Sequence, residues 1–154
     1  MIKTVTSDLP GLLNSKGQPA TVLVTGATGY IGGRLIRELL SHEYKVRVLV
    51  RDAARLNDYP WVQNVEVVVG DATNPEALEK ALKGVDLAYY LLHALMVSKD
   101  FESKERELAE VFGSVAKKQK VSRIVYLGGM ISNDDQLSPH MSARAETGEI
   151  LRNS

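Results

Sequence analysis

TVLVTGATGYIGG, residues 21–33, opens with the β-branched run Thr21 to Thr25, turns through glycine at once and leads into a helical pattern. Gly26, Gly29 and Gly32 stand three apart across that turn. After the turn, Ile31, Leu35, Ile36, Leu39 and Leu40 share one face of a helix spanning 30–41. A second strand, 45–50, ends in an all-apolar run, as strands covered on both faces do.

Outward from that unit the alternation continues. A third strand at 65–69 ends in Gly70-Asp71. Asn74 is an N-cap with Pro75 at the first helical position, Ala77, Leu78, Ala81 and Leu82 form the helix face, and Gly84 stops it. A fourth strand covers 85–92. The longest helix runs over 101–120, with Leu108, Val111, Phe112 and Val115 inward and its charges outward. A fifth strand covers 123–127, and a last helix 138–152. Strands alternating with helices at this pitch build right-handed βαβ units around a parallel sheet. The glycine turn selects a Rossmann-type, doubly wound α/β/α sandwich with strand order 3-2-1-4-5 over a flavodoxin-like order.

The glycine spacing has a physical reading. Gly26 makes the tight turn, Gly29 lets a pyrophosphate approach backbone N–H groups, and Gly32 lets helix and strand pack closely. The helix start adds partial positive charge, so a dinucleotide fits, with Thr28, Tyr30 and Ile31 contributing to its cradle. A tight turn without a ligand is the competing reading. Strand two ends in Val50-Arg51-Asp52. An acidic residue there would bind a ribose 2′-hydroxyl and favour NAD, whereas arginine accommodates a 2′-phosphate. Arg51 comes first, and Arg34 and Arg55 can add charge nearby, so NADP is favoured over NAD and Asp52 keeps NAD open.

Composition sets the outer limits. The 154 residues carry nineteen Lys and Arg against nineteen Asp and Glu, a net charge of zero. That balance leaves no broad basic footprint for nucleic acid or an anionic membrane. Apolar runs are strand-sized, none long enough to span a bilayer. The chain has no cysteine, which rules out disulfides and thiol chemistry within it, and its three histidines lack metal-ligand spacing, so no metal site is expected. A soluble, cytoplasmic protein is the expectation. Residues 1–19, with Pro10-Gly11, Lys16-Gly17 and Pro19, read as an irregular leader before a nucleotide-binding domain over 20–154.

The sequence resembles the short-chain dehydrogenase/reductase superfamily, in its extended and atypical, NmrA-like branches. The glycine turn carries that likeness together with Val48 to Asp52, Val69-Gly70-Asp71, Val125 to Gly129 and Ser142 to Glu146. The resemblance implies an NAD(P)-binding domain of an oxidoreductase, with Asp71 beside the adenine and Leu91 and Leu92 lining the ribose side. It also implies a C-terminal substrate lobe beyond residue 154, and hence an unknown small-molecule substrate. Homodimer formation through the two long C-terminal helices is a further expectation.

Members that move hydride use a Tyr-x-x-x-Lys pair, the lysine lowering the tyrosine pKa for acid–base work. None of the six tyrosines here has lysine four residues on. His140 and Arg144 stand where that pair would, and Gly128 and Gly129 where a serine would follow strand five. A histidine titrating near neutrality suits proton transfer, so His140 with Arg144 is the candidate catalytic pair. The plainer reading is a helix-start histidine and a surface arginine. A nucleotide-binding sensor or scaffold lacking the Ser, Tyr and Lys set is the alternative function.

His93, at the carboxyl end of strand four, lies where ligands bind in open α/β sheets. His42 reads as a cation at a helix C-terminus, and Trp61 with Tyr59 and Pro60 as a loop anchor.

Overall fold

The computed structural model describes residues 11–93, 100–129 and 137–154. Five parallel strands form one sheet in the order β3-β2-β1-β4-β5, as expected. They are β1 Thr21–Thr25, β2 Lys45–Val50, β3 Glu66–Val69, β4 Leu87–Tyr90 and β5 Arg123–Tyr126. The helices are α1 Tyr30–Ser41, α2 Pro75–Leu82, α3 Phe101–Lys118 and α4 Pro139–Asn153.

Alternation along β1 sorts the core into two layers. Val22 and Val24 face α1, where Ile36, Leu39, Val48, Leu56 and Trp61 join them. Leu23 points the other way, into a layer with Leu78, Leu82, Ala88, Tyr90 and Phe112 under α2 and α3. Fully burying one such aliphatic or aromatic side chain is worth about 1.5–3 kcal/mol. α4 lies against α3, with Leu151 in the same layer. This is the three-layer α/β/α arrangement read from the sequence.

Local chemistry sets the element ends. Asn74 accepts the Glu76 N–H at the start of α2, and Ser138 accepts the Met141 N–H at the start of α4, each followed by proline. Arg47 ties β2 to the far end of α2. Its guanidinium donates to the carbonyls of Ala81 and Lys83 at 2.8 and 2.7 Å and pairs with Glu66 at 2.8 Å.

Three details differ from the sequence expectation. β4 is shorter than 85–92, because Val85 N–H turns back to Leu82 and Leu91 N–H leaves the ladder for the Thr25 hydroxyl. Ile31 is 48% exposed rather than on the buried face, since it sits in the first turn of α1, past the strand ends. On α3, Glu105 is 5% exposed, so one charge of the outward set faces in, while Leu108 lines the cleft described below. Of the expected leader, residues 1–10 lie outside the described residues. Leu13 and Pro19 close a turn by an antiparallel bridge, and Leu12 N–H donates to the Tyr44 hydroxyl at 3.0 Å.

Candidate functional site

A cavity of about 770 Å³ lies above the carboxyl ends of the strands. It runs from Gly26, Ala27 and Thr28, past Arg51, Arg55 and Asp71, to Leu92, His93 and the α3 side chains Lys104 and Glu107. Its size is that of an ordinary small-molecule site. The strand order reverses between β1 and β4, the topological switch point where open α/β sheets take ligands.

The glycines divide the work at the turn. Gly26 has φ of +69°, and a Cβ there would meet the Leu91 carbonyl at 2.7 Å. A Cβ on Gly32 would stand 2.2 Å from the Gly26 carbonyl, so helix and turn pack backbone on backbone. Gly29 is different: a Cβ there would touch only the Gly26 carbonyl, at 3.2 Å, and otherwise enter open space. Gly29 is also the N-cap of α1, with no side-chain cap and no acidic residue in the first turn. The first N–H groups of α1, from Tyr30 onward, therefore keep their donor capacity and their share of the helix dipole for an anion. The residues present fit a dinucleotide pyrophosphate.

Two contacts that sequence reading did not identify hold the turn in place. The buried Thr25 hydroxyl donates to the Tyr89 carbonyl at 2.8 Å and accepts Leu91 N–H at 3.0 Å, stapling the end of β1 to the end of β4. The Tyr59 hydroxyl donates to the Thr28 carbonyl at 2.9 Å, and its ring packs 4.9 Å from that of Trp61. A β-branched threonine ending a strand and an aromatic pair in a loop gave no sign of these partners. Both lie far away in sequence.

At the β2–β3 end, Asp52 faces its own backbone. Its carboxylate accepts Ala54 N–H at 2.9 Å and caps a short 3₁₀ turn. Arg51 and Arg55 line the cavity instead, whereas the Arg34 guanidinium stacks on the Tyr30 ring at 4.7 Å. Asp71 accepts both the backbone N–H and the hydroxyl of Thr73, at 2.8 and 2.7 Å. Those bonds, with lesser help from Arg51, hold its carboxyl below the usual range. Leu92 lines the cavity, and Leu91 packs beneath Gly26.

His140 and Arg144 occupy the start of α4 without lining the cavity. Among the described residues the buried Nδ1 of His140 has no hydrogen-bond partner. Arg144 turns to the strand ends: it donates to the Leu127 carbonyl at 2.5 Å and to Nδ1 of His93 at 3.2 Å, and lies over the Tyr126 ring. The Tyr126 hydroxyl donates back to the Arg144 carbonyl at 3.2 Å. Burial and the Arg144 charge hold the His93 pKa below its ordinary value, Glu105 pulling the other way. His42 ends α1 as its C-cap, Nδ1 lying 2.9 Å from the Glu38 carbonyl. No group of three or more metal-ligating side chains is found among the described residues, and no helix there is long and apolar enough to cross a membrane.

A glycine turn opening an uncapped helix at the switch point of a 3-2-1-4-5 sheet defines a Rossmann-type dinucleotide-binding fold. The model of the family described as NAD(P)H-binding matches residues 26–154, and the chain belongs to that family. Dihydroflavonol 4-reductase of Gerbera hybrida is 35% identical over 96 residues, covering 58% of this chain and 25% of that protein. Ceramide reductase of Caulobacter vibrioides is 27% identical over 135 residues, covering 85% of this chain and 41% of its own length. The chain thus spans well under half of either reductase. Among solved structures, the fold matches the Citrobacter sp. triphenylmethane reductase complexed with NADP(H), with TM-score 0.73 and 24% identity over 86% of this chain and 45% of that one. UDP-glucose 4-epimerase of Bifidobacterium longum, in complex with NAD+ and UDP, matches with TM-score 0.73 at 20% identity, over 87% of this chain and 48% of that one.

Proposed function

We propose that the chain is the NADP(H)-binding part of a reductase acting on a small molecule, the substrate-selecting lobe lying in a further segment of the protein. The observation that carries the choice of NADP is the sorting of charges at the end of β2. Asp52 accepts Ala54 N–H with one carboxylate oxygen, while Arg51 and Arg55 line the cavity. A 2′-phosphate would find two guanidinium groups on the cavity wall, whereas Asp52 is not part of that wall. In this reading Gly26, Gly29 and Gly32 shape the cradle, and the N–H groups of Tyr30, Ile31 and Gly32 face the pyrophosphate. Thr28 borders the cradle, Asp71 sits by the adenine and Leu92 by the ribose. Bound NADP(H) supplies a hydride donor or acceptor; this chain binds and orients it. His140 stands as the candidate proton carrier of α4, with Arg144 four residues on. Self-association through α3 and α4 and a cytoplasmic location belong to the same reading.

A second reading, a nucleotide sensor without turnover, is favoured by one feature. No Tyr-x-x-x-Lys pair exists, and Arg144, at the lysine position, is held by the Leu127 carbonyl.

Calorimetric titration with NADPH and NADH tests the cofactor. NADPH is expected to bind more tightly, and Arg51→Glu to reverse the order. One charge-assisted hydrogen bond is worth roughly 1.5–3 kcal/mol, so loss of the Arg51 contact alone weakens NADPH by about 10- to 150-fold. Equal binding of both nucleotides, unchanged by Arg51→Glu, would refute the assignment. Turnover of a carbonyl compound by the full-length protein separates reductase from sensor.

A further inference from the structure

His93 and Arg144 are fifty-one residues apart and meet only because β4 and the start of α4 converge at the carboxyl edge of the sheet. A guanidinium has donors only and stays protonated in proteins. Its Nη1, 3.2 Å from Nδ1 of His93, therefore requires a lone pair on that nitrogen. An imidazolium would set N–H against N–H. His93 is thus neutral, with its proton on Nε2, and its two ring nitrogens point in divergent directions, so Nε2–H is directed away from Arg144. The second Arg144 nitrogen is anchored on the Leu127 carbonyl and the guanidinium lies over Tyr126, so the arginine itself is fixed.

His93 lines the same cavity as Arg51 and Asp71, on the opposite side of the glycine turn. A dinucleotide lies across the switch point. With the adenosine end at β2 and β3, its other nucleoside passes over the turn towards the end of β4. That placement rests on the nucleotide reading given above. We propose that His93 recognises the nicotinamide nucleoside half, donating Nε2–H to one of its oxygens, and that Arg144 is the positioning residue that fixes this tautomer. Arg144 then serves His93 rather than His140.

The charged and titratable groups around the ring agree with a neutral imidazole. Arg144 and His140 approach from α4 and disfavour a proton, Glu105 from α3 favours one, and partial burial disfavours it further. A proton on Nδ1 would break the hydrogen bond from Arg144.

Two measurements on the chain test the proposal. Nitrogen-15 NMR of the imidazole is expected to show His93 with its proton on Nε2. Arg144→Met is expected to give a mixture of tautomers and a higher His93 pKa. Calorimetry then compares NADPH with 2′,5′-ADP, which lacks the nicotinamide half. His93→Leu is expected to weaken NADPH roughly three- to tenfold, the worth of one neutral hydrogen bond, and to leave 2′,5′-ADP unchanged. His93→Gln, whose amide nitrogen can stand near the Nε2 position, is expected to restore most of the loss. An Nδ1–H tautomer, NADPH affinity indifferent to His93→Leu, or parallel weakening of both ligands would overturn the proposal. Wild-type chain binding neither ligand would overturn the nucleotide reading itself, and this proposal with it.

Discussion

Gly29 and Gly32 occupy one turn, yet the same kind of substitution should fail at each for opposite reasons. A Cβ at Gly32 would lie 2.2 Å from the Gly26 carbonyl, 2.9 Å from its carbonyl carbon and 3.0 Å from the Ala27 Cα. All three are backbone atoms, so no rotamer change relieves the clash. Overpacking of this kind costs about 1–3 kcal/mol or more, and for a chain of this size each 1 kcal/mol lowers Tm by about 2–4 °C. Gly32→Ala is therefore expected to melt roughly 2–12 °C below wild type. Gly29→Asp places its side chain where only the Gly26 carbonyl stands near, at 3.2 Å, and the backbone there, at φ of −80° and ψ of 164°, is extended. Asp is a preferred N-cap and suits the positive end of α1, a gain of up to about 1 kcal/mol. The variant should melt at or above the wild-type temperature.

Binding should go the other way. A carboxylate about 4 Å from a phosphate charge repels it by about 4 kcal/mol at an effective dielectric near 20, roughly a thousandfold in affinity. Thermal melts beside calorimetric titration with NADPH measure both effects on the same samples. Gly29→Asp that still binds NADPH would refute the pyrophosphate cradle. Gly32→Ala that melts like wild type would refute the backbone-contact argument.

Thr25→Val keeps the shape of the side chain but strips Leu91 N–H of its acceptor and the Tyr89 carbonyl of its donor. A loss of about 2–3 kcal/mol is expected, seen as a lower urea midpoint, together with weaker nucleotide binding as the turn loosens against β4. Arg47→Met should cost about 1–3 kcal/mol, because the Ala81 and Lys83 carbonyls lose a charged donor; unfolding unchanged in urea would show those bonds to be replaced by water. The His93 pKa lies below its ordinary value in the folded chain, so the unfolded chain takes up the proton first as pH falls. Stability from this residue is thus level above pH about 6.5, declines as pH drops through that value, and levels off below the folded pKa. His93→Gln should flatten that part of the pH profile in melts from neutral pH downwards; an unaltered slope would place the titration elsewhere.

The α/β alternation, the strand order and the glycine turn were legible in the sequence because each is written in a few neighbouring residues. Asn74-Pro75 marks a helix start by what proline and a capping oxygen can do locally. β-branched runs mark strands, and glycine spacing marks a turn that other residues could not follow. What the sequence left open is what depends on partners distant along the chain. Arg51 and Asp52 are adjacent, and only the 3₁₀ turn decides that one faces the cavity while the other caps a backbone. Arg144 stands four residues from His140, as a catalytic pair would, yet its hydrogen bonds go to His93 and Leu127, across the edge of the sheet. Thr25 is one more β-branched residue until β1 and β4 come side by side. By itself the sequence determined which segments become strands and helices and where a phosphate is welcome, since backbone conformation follows from near neighbours. Which side chains meet above the sheet was decided only by the tertiary structure, because the strand order sets residues dozens of positions apart within hydrogen-bonding distance.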